Sequence, residues 1–308
     1  MSLAEIRSKN LRWINIVRPG QGEIDFLRNN FPFHPLDLED CLICGQRPKI
    51  QKYPRYIFLV LLFPVYNRQT REIEPSEIDF FVGEDYFITL HDDKLKPLKE
   101  ILKQCQTEEK AKNEIFSQGS SFLLYYLINK LLCYCYPMLD HLSIDVHAIE
   151  KQIFSGSEKK MVSEILIIRR NITDFRQIMQ AHKNTLKKLS EVMKQNGFSE
   201  NQKLAIYYVD LIELTKEIWD HLESFKESIE ALQQTNESLI SNRLNDIMKT
   251  FTTISVIIFI MTLVAGIFSI NARGTPFMHQ GWSFWFILAI IMLVAVMAWQ
   301  FFKKKKFL

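Results

Sequence analysis

ISNRLNDIMKTFTTISVIIFIMTLVAGIFSINARGTPF, running from Ile240 to Phe277, decides how the chain is read. It passes from charged to apolar with no proline or capping cluster, then turns through Arg273, Gly274 and Pro276. From Phe251 to Ile270 there are twenty residues without a charge, and from Trp282 to Phe302 another twenty-one. At ~1.5 Å per residue each run crosses a hydrocarbon core of about 30 Å. Nothing earlier qualifies on this reading, since the longest preceding apolar run, Ile57 to Phe63, is strand-sized. The expectation is a soluble part followed by two membrane helices.

Flanking charge sets the orientation. Lys249 precedes the first span, and Lys303, Lys304, Lys305 and Lys306 follow the second. The intervening loop carries only Arg273 and His279. The positive-inside rule therefore predicts both termini in the cytoplasm and the short loop outside. Trp282, Trp285 and Trp299 sit near span ends, where interfacial anchors belong. The lysine run reads as a topology anchor or as a charged element near a cytoplasmic pore mouth. The N-terminus has no apolar signal core, so the soluble part is expected in the cytosol.

The 308 residues carry a net charge of +3, which the four tail lysines already account for. Five cysteines, Cys41, Cys44, Cys105, Cys133 and Cys135, read as free thiols. Cys41-x-x-Cys44 has no second pair to complete a structural zinc site. No phosphate loop, nucleophile elbow or HExxH helix is present, so the chain is not expected to be an enzyme. Nothing points to nucleic acid.

Residues 1 to 115 read as an α/β domain. LRWINIV (Leu11 to Val17) is strand-like, GEIDFLRNN is a short helix, and IFLVLLF is a buried strand. SEIDFFVGEDYFITLH reads as a hairpin turning at Gly83-Glu84-Asp85, and DKLKPLKEILKQC returns to helix. Residues 116 to 199 read as a helical hairpin with helices near 119–155 and 159–195. Gly156 and Gly197 mark its turns, and Pro137 is the one interior proline. Residues 200 to 270 read as one stalk helix that continues as the first span, ~100 Å long. The loop 271–281, the second span 282–302 and the basic tail 303–308 complete the plan.

From Glu200 to Lys249 the stalk has ten acids and five bases, which is a solvated face or a surface that attracts cations. Ser241, Asn245, Met248, Phe251 (or Thr252), Ser255, Phe259, Thr262, Gly266 and Ser269 recur at steps of three or four, so they share one face. A stripe of small and polar residues in a bilayer is a tight helix contact or the lining of water. Two spans cannot enclose a pore, whereas an oligomer can.

Several segments resemble the CorA-type divalent-cation transporters, a family that includes magnesium channels and ZntB-type zinc transporters. They are FPFHPLDLEDCLICGQRPKIQKY (Phe31 to Tyr53), VGEDYFITLH, NDIMKTFTTISVIIFIMTLVAGIFSIN and FFKKKKFL. The resemblance runs from about Leu11 to Leu308. It implies an α+β cytosolic domain, a long stalk helix and two C-terminal transmembrane helices. Five chains would assemble as a funnel-shaped homopentamer in the inner (plasma) membrane. The first span would line the pore and the second would form the outer ring against lipid.

It also implies a magnesium transporter that reads the hydrated ion at a Gly-Met-Asn triplet. Magnesium gives up water reluctantly, and carbonyl and amide oxygens accept from that water. Here the triplet is Ser269-Ile270-Asn271, with Asn kept, Met replaced by Ile and Gly by Ser. A left-handed position would strain Ser269, whereas a helical one would not. By the same resemblance Asn245 and Met248 form rings at the cytoplasmic entrance. Ser255 and Gly266 share the lumen face, Phe259 is a hydrophobic gate, and Thr262 is a hydroxyl ring. Asp40 and Asp210 match a regulatory pair that a magnesium ion would bridge between neighbouring chains.

Three further positions depart from the family pattern. Pro276 is followed by Phe277 rather than Glu, and the external loop has no acid. Ile260 replaces a mid-span proline, and Gln234 stands where many members have an acid. The alternatives are transport of zinc, cobalt or another divalent metal, and a non-conducting sensor or scaffold on the same fold.

Overall fold

In a computed structural model the described residues are 3–8, 11–43, 45–195, 202–269 and 282–304. Ile270, Asn271, the external loop, Cys44, Lys305 and Lys306 lie outside them. The chain forms two compact units, Met1–Gln233 and Gln234–Leu308.

The first unit is built on a six-stranded sheet of order β1-β2-β6-β5-β4-β3. Its strands are β1 (Leu3–Arg7), β2 (Arg12–Val17), β3 (Lys49–Lys52), β4 (Ile57–Asn67), β5 (Glu72–Val82) and β6 (Tyr86–His91). Neighbours are antiparallel except β2 and β6, which run parallel. The expected hairpin is present as β5 and β6. Gly83 N donates to Tyr86 O at 3.0 Å, and a Cβ on Gly83 would lie 2.4 Å from the Tyr86 ring. Any side chain at position 83 would have to displace the Tyr86 ring. The sequence reading omits β1 and β3, which are short and polar.

Alternation along the strands gives the sheet two apolar faces. One carries Ile14, Ile16, Phe58, Val60, Phe81, Ile88 and Leu90 and packs with α1 (Gln21–Asn30) and α2 (Pro35–Asp40). Phe33 joins these layers, stacked on Phe31 at 5.1 Å and on Phe81 at 4.2 Å. Phe31 and Phe33 both meet the Tyr86 ring edge-on. Such pairs each add about 1 kcal/mol beyond their buried area.

The helices that follow β6 are α3 (Lys96–Thr107), α4 (Glu109–Phe116), α5 (Gly119–Cys133), α6 (Cys135–Phe154), α7 (Glu158–Gln180) and α8 (His182–Gln195). Helix α7 is tied to the sheet by buried Asn171. Its Nδ2 donates to Arg71 O at 2.9 Å, and its Oδ1 accepts from Ile73 N at 3.2 Å. Helices α5 to α8 belong to the same compact unit as the sheet.

The expected helix 119–155 is two helices. Pro137 lacks the N–H that would bond Cys133 O, and the chain breaks at Tyr134. Gly156 ends α6 as foreseen, with φ +88°: its N–H bonds Ile153 O, and Ser157 N bonds Gln152 O. The expected helix 159–195 also breaks, at Ala181. There the buried His182 ring places Nδ1 3.1 Å from Ile178 O, an inserted side chain in the ladder.

By length and composition three helical stretches among the described residues could cross a membrane, one more than expected. The extra one, Gly119–Phe154, is 44% buried over its apolar window. Leu123, Leu124, Leu127, Ile128, Leu131 and Leu132 are all buried there, so that surface is part of the protein's own core. In the other two almost no residue of the apolar window is fully buried in the single chain. Helix α9 (Gln202–Ser269) runs unbroken for 68 residues, as expected, and α10 (Ser283–Lys304) covers the second apolar run.

Candidate functional site: the exposed stripe of the long helix and the α2 loop

In the second unit α9 has one covered side. Thr253 is buried, and Ile257, Ile260, Met261, Val264 and Phe268 are half-buried. Helix α10 carries a matching half-buried stripe through Ile287, Ile291, Val294, Ala298 and Phe302. Every member of the expected stripe from Ser241 to Ser269 is exposed, including Asn245, Met248, Ser255, Phe259, Thr262 and Gly266. At ~100° per residue the exposed stripe centres roughly 180° from the covered one. Between them lie Ile254, Ile258 and Ala265 on one flank, and Val256, Leu263 and Ile267 on the other. The helix thus has a covered back, two apolar flanks and a front of small, polar and gate-sized residues.

Details of that front bear on its use. A Cβ on Gly266 would meet nothing within 4 Å, so packing within the chain does not require glycine there. Thr262 Oγ1 donates to Ile258 O at 2.9 Å, which satisfies the proton and leaves lone pairs free. Ser269 is the last residue of α9, exposed and helical. Positive φ outside glycine occurs, among the described residues, at Arg18, Arg71 and Asp93. The serine is therefore unstrained. Lys303 lies at the end of α10 with Nζ 5.3 Å from the Trp299 ring centroid, and Lys304 ends the helix.

The other expected residues lie in the first unit. The α2 segment is fixed at its start by His34, whose Nδ1 accepts from Leu36 N at 3.2 Å, with Pro35 at the first helical position. Asp37 is fully buried and accepts from Tyr56 OH at 2.9 Å and Tyr53 OH at 3.2 Å. Burial pushes its carboxyl up, and those two hydroxyls oppose the shift. Asp40, at the end of α2, accepts from Lys49 Nζ and from Gln46 Nε2. Asp210 on α9 is exposed, with Tyr125 OH 3.5 Å from Oδ2. Asp40 and Asp210 are not brought together within one chain by any hydrogen bond or ion pair among the described residues.

Lys49, Gln46, Glu77 and Asp79 are absent from the sequence-derived set. Glu77 Oε2 accepts from Gly45 N at 2.7 Å and Gln46 N at 2.8 Å, strapping the α2–β3 loop to β5. Two residues on, Asp79 is 4% exposed and its Oδ1 has no partner. Burial first, then the neighbouring Glu77, raises its pKa to about 8, while Cys41 and Lys49 oppose this. The available signal was the Gln46-to-Lys49 segment itself, which follows Asp40 within one short loop. No group of three or more potential metal-binding side chains occurs among the described residues.

Residues 8–304 match the family model described as CorA-like Mg2+ transporter protein. The chain is 26% identical to the cobalt/magnesium transport protein CorA of Thermotoga maritima, over 96% of this chain and 83% of that one. The structure of the CorA magnesium transporter from Methanocaldococcus jannaschii superposes with a TM-score of 0.83 at 20% identity, covering 98% of this chain and 93% of that one. Full-length CmaX gives 0.75 at 20% identity, over 96% and 88%. At that identity the two structures establish the fold alone.

Proposed function

The chain belongs to the CorA-like Mg2+ transporter family, a family of divalent-cation transporters and not of enzymes, and on that premise we propose that it carries magnesium as a homopentameric channel. Five copies of α9 would turn their exposed stripes inward. The covered back would face α10 of the same chain, and the apolar flanks would pack on neighbouring copies. The observation that carries this reading is the placement of the small and polar stripe directly opposite the covered side. Lipid offers no partner to the free lone pairs of Ser255, Thr262 and Ser269, whereas a water-filled lumen does.

In this reading the hydrated ion is selected at Ser269, Ile270 and Asn271. Asn271 offers an amide oxygen to the ion's water, and Phe259 narrows the lumen below it. The unstrained helical setting of Ser269 favours conduction over loss of function, because its hydroxyl adds an acceptor where glycine had none. Asp40 and Asp210 on adjacent chains would form the regulatory pair, and the cytoplasmic lysine tail would anchor α10 at the inner face.

Flux into proteoliposomes, with magnesium, zinc and cobalt compared, tests the reading. Magnesium uptake that falls at least tenfold in Asn271→Ala is expected. Absence of flux for all three metals, whatever the free metal concentration, would refute conduction. Uptake of zinc in preference to magnesium would move the assignment to the zinc branch that Ile270 resembles.

A further inference from the structure

Both oxygens of Asp40 are engaged within its own chain. Lys49 Nζ donates to Oδ2, and Gln46 Nε2 donates to Oδ1 at 2.9 Å and lies 3.3 Å from the Asp40 backbone O. Lys49 Nζ also donates to Gln46 Oε1 at 3.2 Å, so the three side chains close a ring. The loop behind them is held by Glu77 through Gly45 N and Gln46 N. The Lys49 ammonium lies 5.5 Å from the Phe58 ring centroid, a second favourable contact for a cation at that point. The side chains of Lys49 and Asp40 are 27% and 24% exposed, so water screens the pair only in part.

A dication approaching Asp40 therefore meets a carboxylate already matched by one positive charge and an ammonium that repels it. As placed, the Asp40 donor set does not fit a divalent ion. We infer that Lys49 is a tethered competitor for the regulatory cation: it occupies Asp40 from within the chain, and Gln46 positions it there. The inference rests on the reading of Asp40 and Asp210 as a regulatory pair. It assigns a job to the Gln46–Lys49 segment, which is to set how much magnesium the cytosolic side must hold before the pair is bridged. An arginine or lysine there raises that threshold, and a neutral residue lowers it.

The test is limited proteolysis of the full-length protein in detergent, with magnesium titrated and the midpoint of protection read. Lys49→Met is expected to lower the midpoint about fivefold, the equivalent of a pair worth about 1 kcal/mol. Lys49→Arg is expected to keep the wild-type midpoint. Lys49→Gln, which retains a donor for Asp40 without the charge, replaces Lys49→Met if that variant does not fold. An unchanged or raised midpoint in a folded neutral variant overturns the inference. Asp210→Ala separates the two levels. If it leaves the wild-type midpoint unchanged, the regulatory pair itself is refuted and the competitor falls with it. If it shifts the midpoint while the Lys49 variants do not, only the competitor is refuted.

Discussion

Asp79→Asn should make the protein more stable and flatten its pH dependence. Asp79 sits in the middle of the sheet, opposite Val60 on β4 and Leu90 on β6, with one oxygen unpartnered. Its pKa is about 8 in the folded chain against an ordinary 3.8. Above pH 3.8 the unfolded chain releases a proton that the folded chain keeps. Stability therefore falls by about 1.4 kcal/mol per pH unit until the folded pKa is passed. At pH 7.5 the accumulated loss is on the order of 5 kcal/mol, which the neutral amide avoids. The amide adds a buried N–H2 that needs acceptors, a penalty of about 1–3 kcal/mol. A net gain of about 2–4 kcal/mol at pH 7.5 remains, shrinking toward pH 4. The assay is thermal unfolding of the detergent-solubilised protein, followed by tryptophan fluorescence between pH 5 and 8.5. The quantity read is the difference between variant and wild type. Parallel pH profiles, or a variant no more stable than wild type at pH 7.5, would refute the argument that Asp79 is buried as an acid.

His91 and His182 work in the opposite direction. Burial lowers both to about 4 from 6.5, so each is neutral when folded, and stability is lost as pH falls from 6.5 toward 4. His182→Leu should remove part of that acid loss in the same melting experiment. Asn171→Ala should destabilise by about 1–3 kcal/mol, since the buried Ile73 N–H loses its acceptor and the part-buried Arg71 O loses a donor, with chemical denaturation as the measure. Gly266→Val should leave the melting temperature within a few degrees of wild type, because its side chain meets open space in the chain, yet lower flux. Lost stability with no change in flux would favour a packing role for the stripe. Ser269→Gly should alter magnesium flux without altering stability, read in the same proteoliposomes.

The long helix and its stripe were legible because helical period and hydropathy are local signals, and the bilayer turns them into strong constraints. Ser269 was ambiguous on paper and is helical in the fold, since nothing in Phe268-Ser269 itself breaks the ladder. The breaks at Tyr134 and Ala181 were harder to see. The first needed Pro137 to be read as terminating a helix three residues earlier, and the second is driven by a buried histidine that no spacing rule marks. Likewise Asp40 could be picked out, but its partners could not. The ring with Gln46 and Lys49 depends on a loop strapped down by Glu77, thirty-odd positions away, and that is a tertiary fact.

The polar network on the inner face of β2 and β6 has one more consequence. Trp13 Nε1 donates to Thr89 Oγ1 at 3.0 Å, Thr89 Oγ1 donates to Asn15 Oδ1 at 2.7 Å, and His91 Nε2 lies 3.1 Å from the same oxygen. Asp93 N donates to His91 Nδ1, so the ring proton sits on Nε2 and points at Asn15. A slip of one residue between these parallel strands would turn every side chain to the wrong face, and hydrophobicity alone forbids it. A slip of two would not be caught that way, because apolar residues would still meet apolar residues. The network catches it: the indole, the hydroxyl and the imidazole would each lose a partner in the dry interior, at about 1–3 kcal/mol apiece. These four side chains act as a parity check on a join between strands more than seventy residues apart, admitting one alignment and rejecting its nearest plausible copy.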